Sequence, residues 1–290
     1  MKNYSSLFLL MAGGVFGQNV SWTEPWPAHT IAGNVHYVGT RDLACFLITT
    51  PAGHILVNSG LASSTPLIRA SVEKLGFALR DVKILLTMQA HFDHVAAFSE
   101  IQKLSGARVY ATEKDAPLLE SGAKTDPYNG GRNAFTPVKV DRRLKDGEVI
   151  AIGTTKLRVV LTPGHTPGSV SYEISTPGNP DVLLANMQSV VMPLVGNKLE
   201  PNIVDAFRRG FAAQKKLRPV IWAAAHGSQY GMEEKHKKGS FADPEGYVKA
   251  VARYEAAFEE QLAKERPTGQ FRQDANQDKM ARVRNQEVLQ

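Results

Sequence analysis

Gln89-Ala90-His91-Phe92-Asp93-His94 follows Val82-Lys83-Ile84-Leu85-Leu86-Thr87, an apolar run rich in strand formers, and precedes the helix-like residues 95–104. Two imidazoles, a carboxylate and an amide therefore leave a strand end in one tight turn. Neutral imidazole and carboxylate are the usual zinc ligands. The plainer reading is a pair of loop histidines beside a helix, with Asp93 as the N-cap of a helix beginning at Val95. The turn alone does not decide between them.

Two further histidines share its context. His165 lies in Thr162-Pro163-Gly164-His165-Thr166-Pro167-Gly168-Ser169, after the apolar stretch 156–161. His226 lies in His226-Gly227-Ser228, after Val220-Ile221-Trp222-Ala223-Ala224-Ala225. Strand ends that meet at one rim of a sheet are where a site would collect ligands. A buried, hydrogen-bonded histidine would explain either alone, but both beside the Gln-x-His-x-Asp-His turn point to metal. His36 and His54 are single histidines in strand contexts, read as surface or satisfied-core residues. Cys45, the one cysteine, sits in Leu43-Ala44-Cys45-Phe46-Leu47-Ile48 and reads as a small core residue, so no intrachain disulfide can form.

The chain has 290 residues, 43% hydrophobic and 21% charged, enough for one large domain or two small ones. Met1-Lys2, the apolar run 7–12 and the small residues before Gln18 read as a secretory signal peptide, residues 1–17. That stretch is too short to span a bilayer, and a buried amino-terminal helix is the alternative. A mature domain is expected over 18–264, working in a periplasm without membrane attachment, followed by a polar tail, 265–290. The net charge of +6 is spread out, and the cluster Lys235, Lys237 and Lys238 reads as solvated surface, which argues against nucleic-acid binding. Attraction of small anionic substrates suits the same field.

Strands are expected over 31–39, 44–49 and 54–58, and a helix from Thr65-Pro66 that stops at Gly76. Further strands are expected at 82–87 and 108–111, a hairpin at 147–153 and 156–161, and strands at 170–174, 182–185 and 220–225. Asn202 would cap a helix over 203–217. A long helix should follow Asp243-Pro244, with the apolar face Tyr247, Val251, Tyr254, Phe258 and Leu262. Residues 121–141 lose periodicity and read as a lid or binding loop. Strands and helices succeed one another similarly before and after about residue 140, which predicts an α/β protein of two similar αβ halves packed sheet to sheet with helices outside.

On the segments Ile31 through Thr40, Gln89 through His94, Gly164 through Ser169 and His226-Gly227-Ser228, the chain resembles the metallo-β-lactamase superfamily. It looks closest to subclass B3 β-lactamases carrying glutamine at the first ligand position, a likeness running from about Ser21 to Leu262. The resemblance implies the four-layer αβ/βα sandwich and one or two Zn²⁺ per chain. It implies that Gln89, His91 and His165 surround a first zinc, and that Asp93, His94 and His226 surround a second. Gln89 departs from the usual histidine, and its neutral amide oxygen is the weaker ligand, so the second set would fill first.

Relatives with glyoxalase-type or phosphodiesterase activity use a metal-bridging aspartate, where this chain has Leu184-Ala185-Asn186-Met187-Gln188-Ser189. Ser189 resembles the serine that hydrogen-bonds a β-lactam carboxylate. Zinc lowers the pKa of the water it holds towards 7, and Asp93 would orient that water for attack on the lactam carbonyl. No Gly-x-Ser-x-Gly or Ser-x-x-Lys motif provides a serine nucleophile where one would be expected. The expectation is a monomeric zinc β-lactamase acting on small-molecule β-lactams and conferring resistance to them. An exported lactonase or thioesterase of the same fold is the second reading, and a non-catalytic zinc protein the third.

Overall fold

The computed structural model describes residues 19–126, 131–197 and 200–266, so residues 1–17 and most of 265–290 lie outside the described residues. The first half opens with β1 (His29–Ala32), β2 (Val35–Tyr37), β3 (Phe46–Ile48) and β4 (His54–Val57), each antiparallel to the next. Helix α1 (Thr65–Lys74) then carries the chain across to β5 (Val82–Leu86), parallel to β4. After α2 (Phe92–Val95) and α3 (Phe98–Ser105), β6 (Arg108–Thr112) continues the parallel pairing. Then α4 (Ala116–Ser121) leads to β7 (Arg142–Leu144), which closes a seven-stranded sheet in sequence order.

The second half repeats the plan with five strands. The strands β8 (Val149–Ile152), β9 (Thr155–Leu161), β10 (Val170–Ser175) and β11 (Val182–Ala185) form an antiparallel meander. Helix α5 (Ile203–Gln214) then crosses to β12 (Ile221–Ala224), parallel to β11. Short helices α6 (Gly227–Tyr230) and α7 (Met232–Lys238) lead into α8 (Pro244–Glu265). The break between halves falls just after β7, a few residues past position 140, because β7 pairs with β6 and not with β8.

Alternation along the strands builds the layers. Phe46, Ile48, Ile55, Val57 and Leu86 face Leu157, Val159, Tyr172 and Leu184 in the core between the sheets. Leu47, Leu56 and Leu85 point the other way, onto Ile68 and Val72 of α1 and Phe98 and Ile101 of α3. On the far side α5 and α8 cover the second sheet, with Phe258 stacked on Phe207 at 5.1 Å between ring centroids. Helix, sheet, sheet, helix is the four-layer sandwich expected above. Cys45 is buried at 1% exposure, and no helix among the described residues is long and apolar enough to cross a membrane.

The two halves are stitched by matching backbone bonds at one rim. Val170 N–H, at the start of β10, donates to Met88 O just past β5 at 2.9 Å. Ala44 N–H, just before β3, donates to Ala225 O just past β12 at 3.0 Å. Each half thus offers its antiparallel strand to the end of the other's crossover strand. This rim holds the histidines.

Several expectations need correction. Residues 95–104 are not one helix: His94 O accepts from Ser59 N–H at 2.7 Å, so the helix stops at Val95 and restarts at Phe98. Asp93 consequently lies inside α2, and His91 is its N-cap residue. Lys235 is not solvated: it is 8% exposed, its Nζ 3.1 Å from Asp243 Oδ2 and 4.1 Å above the Trp222 ring. Asn202 precedes α5 without a side-chain cap, and α5 ends at Gln214. Helix α8 runs one residue into the expected tail, and Glu265 accepts from Leu194 N–H at 2.6 Å and Val195 N–H at 2.8 Å. Of residues 121–141, 127–130 lie outside the description. The flank beyond them is tied to α4, with Phe135 N–H on Gly122 O and Val138 N–H on Leu119 O.

Candidate metal centre

Each candidate ligand hangs from the end of a strand in the stitched rim. The turn after β5 carries Gln89, His91, Asp93 and His94. The β9–β10 connection carries His165, and the residue pair after β12 carries His226. Gly164, at φ +141°, packs against the Phe207 ring, a close approach that favours glycine and sets the path of the chain into His165.

Of the expected first set, the two imidazoles come together. His91 Nδ1 lies 3.2 Å from His165 Nε2. His165 Nδ1–H donates to Ser189 O at 2.8 Å, which leaves Nε2 as the lone-pair nitrogen facing His91. Gln89 is buried, and its Oε1 accepts from His91 N–H at 3.1 Å, which fixes the amide within the same turn.

The expected second set is tighter. Asp93, His94 and His226 each offer a ligand atom, all within 4.8 Å of one another. Asp93 Oδ2 lies 3.4 Å from His94 Nε2 and 3.5 Å from His226 Nε2. A tetrahedral zinc with bonds of about 2.0–2.1 Å spaces its ligand atoms about 3.3–3.4 Å apart, close to these separations. Among the described residues neither ring nitrogen of His94 has a hydrogen-bond partner, although the ring is fully buried. A buried imidazole in that condition is costly unless a cation completes it. The residues fit zinc.

Their electrostatics agree. Burial pushes His91 down to about 3, with the His165 ring adding to the effect. Burial likewise holds His94 well below the usual imidazole range, with His226 adding, and lowers His165. Ligation needs neutral imidazole. His226 runs the other way: burial alone would lower it, but the Asp42 hydrogen bond and the charge of Asp93 raise it.

Sequence reading missed the residues that hold the ligands in place. Asp42, from the β2–β3 connection, accepts from His226 Nδ1–H at 3.0 Å and from Ser228 N–H at 2.9 Å. Burial opposes its charge, yet His226 and Ser228 keep its carboxyl well below the usual range. Asp115, just before α4, accepts from Ala90 N–H at 3.0 Å, Thr166 Oγ1–H at 2.7 Å and Gly168 N–H at 2.8 Å. One carboxylate thus clamps the turn of His91 to the loop of His165. Burial lifts it to about 6 despite these three donors. Neither aspartate sits near a histidine in sequence, so no local spacing marks it. Ser189 does lie at the site, with Oγ 3.1 Å from His165 Nδ1.

A sheet-on-sheet sandwich with histidines and an aspartate from both halves at one rim defines a metallohydrolase scaffold. Residues 39–179 match the metallo-beta-lactamase superfamily. The chain is similar to the metallo-beta-lactamase GOB-18 from Elizabethkingia meningoseptica at 37% identity and a TM-score of 0.82, covering 85% of this chain and 96% of that one. It is similar to the class B3 di-zinc metallo-beta-lactamase LRA-12 from an Alaskan soil metagenome at 40% identity and a TM-score of 0.81, covering 84% and 97%. This chain belongs to the metallo-β-lactamase superfamily. Among curated sequences it is 30% identical over 127 residues to a hydroxyacylglutathione hydrolase of Rhodopseudomonas palustris (strain BisB5), 44% of this chain and 41% of that one. It is 33% identical over 135 residues to the uncharacterized protein YobT of Bacillus subtilis, 44% and 55%. The chain spans about half the length of these curated relatives.

Proposed function

We propose that this protein is a zinc-dependent β-lactamase that hydrolyses the amide bond of β-lactams in the periplasm, and so protects its host from these antibiotics. The observation that carries the reading is the pairing of His91 with His165 at 3.2 Å beside the Asp93–His94–His226 cluster. Gln89, His91 and His165 would hold one zinc, and Asp93, His94 and His226 the other. Bound there, zinc supplies Lewis acidity and water that ionises near neutral pH.

The chain's own residues do the rest. Asp93 orients the attacking water and takes its proton at the carboxylate. Water oxygen bonds to the lactam carbonyl carbon, the C–N bond breaks, and the proton passes to the ring nitrogen. His165 Nδ1–H donates to the backbone carbonyl of Ser189, so the Ser189 hydroxyl beside it keeps its own proton to donate to the substrate carboxylate.

The curated likeness favours a second reading, a thioesterase of the hydroxyacylglutathione hydrolase kind. Against it stands Asn186 at the end of β11, 1% exposed, where a bridging carboxylate would be needed. The similarity to the lactamases also extends over far more of the chain. Hydrolysis of a carbapenem, a cephalosporin and an acyl-glutathione thioester, each with and without EDTA, tests the choice. EDTA-sensitive loss of either lactam supports the proposal, and turnover of the thioester alone overturns it.

A further inference from the structure

Asp42 does not act on His226 unaided. The 3-10 turn Val20–Trp22 places the Trp22 ring 6.0 Å from the His226 ring and 6.2 Å from Phe92. Its indole Nε1–H donates to Asp42 Oδ2 at 3.2 Å, the same oxygen that accepts from His226 Nδ1–H. Ser228 N–H holds the other oxygen. The turn is sewn to this loop, with Asp42 N–H on Ser21 O at 3.1 Å and Arg41 N–H on Glu24 O at 2.9 Å. Three donors from two distant parts of the chain thus fix one carboxylate in position and plane. With Nδ1–H committed to that carboxylate, Nε2 of His226 faces Asp93 as the lone-pair nitrogen.

We propose that Trp22 is a positioning residue for the Asp93–His94–His226 half of the centre, its indole N–H setting metal affinity there through Asp42. The inference rests on the zinc reading of the site. Trp22→Phe keeps an aromatic ring against Phe92 and His226 and deletes the donor.

Zinc titrated into the full metal-free chain, against a competing chelator, measures affinity. The ring resonances of His94 and His226 report one half-site, and those of His91 and His165 the other. Removing a carboxylate that orients a ligating histidine weakens metal binding about 10–100-fold, and a donor one bond further out is worth about 3–10-fold. W22F should therefore lose about 3–10-fold at the half-site of His226, leave the other unchanged and shift the His226 Nδ1–H resonance. In a D42A background the same substitution should add nothing, whereas a merely structural role would cost the same in either background. Unchanged affinity in W22F, or an effect that persists undiminished on D42A, overturns the proposal. A wild-type chain that takes up no zinc overturns the zinc reading first and this inference with it. A chain that binds zinc in both half-sites but cleaves no β-lactam leaves this inference to stand on the titration.

Discussion

At the scale of single residues, the ligand turn makes two separable demands. Asp93 lies against both His94 and His226, and the proposed function gives it two roles, ligand and water orienter. Asp93→Asn should reduce kcat by at least about a hundredfold, as losses of general-base partners do, with the circular dichroism spectrum retained. Full activity in the variant would remove Asp93 from the chemistry. Gln89 is a different case. Its Oε1 already serves His91 N–H, so the amide is held in place but offers zinc only a neutral oxygen. Gln89→His should tighten the first half-site by about tenfold or more in chelator competition. An unchanged affinity would mean that residue 89 does not touch the metal. Gln89, His91, Asp93 and His94 were legible as a candidate cluster because all four fall in one six-residue stretch. Asp42, Asp115 and Trp22 were not, since the fold alone brings them to the histidines.

Among the elements, the turn after β5 and the β9–β10 loop meet through Asp115, which accepts from Ala90, Thr166 and Gly168. Asp115→Ala would leave the buried amides of Ala90 and Gly168 without their acceptor and the Thr166 hydroxyl with Ser169 alone, and should cost about 2–5 kcal/mol in urea unfolding. It should also loosen zinc at His91 and His165, with less effect at His226, which is braced from the other side by Asp42. Equal stability of variant and parent would show the clamp to be idle. The same scale marks where periodicity was and was not a guide. The face of α8 was readable because Tyr247, Val251, Phe258 and Leu262 repeat at helical spacing, and all are buried. The break between α2 and α3 was not, because Ser59, far back in the chain, takes the carbonyl of His94. Lys235 was misjudged for a similar reason: its Trp222 and Asp243 partners come from other elements.

For the whole molecule, the buried imidazoles predict acid lability of the metal-free protein. Burial lowers His29 and His36 to about 4 and His91 to about 3, and pushes His94 well down. Unfolded, each takes a proton near pH 6.5, so the unfolded chain binds more protons across this window. Stability is therefore full above about pH 6.5 and falls as pH drops towards 4, by up to about 1.4 kcal/mol per pH unit for each such histidine. His226 and Asp115, both raised, work in the opposite direction but are fewer. Urea midpoints measured in EDTA between pH 7 and 4 should decline steeply, and a flat profile would contradict the burial. The alternation of apolar residues made the two-sheet plan legible in advance. Strand β7 beside the boundary was not, since it is only three residues long and its pairing with β6 leaves no periodic trace.

The stitched rim has a thermodynamic corollary. His91 and His94 come from the first half, and the rings they face, His165 and His226, come from the second. Any ion shared across those pairs is also a rivet between the halves, so occupancy and cohesion become reciprocal readings of one coupling free energy. A solvent, substitution or temperature that pries the sheets apart must weaken the grip on the ion by the same factor that the ion's departure weakens the seam.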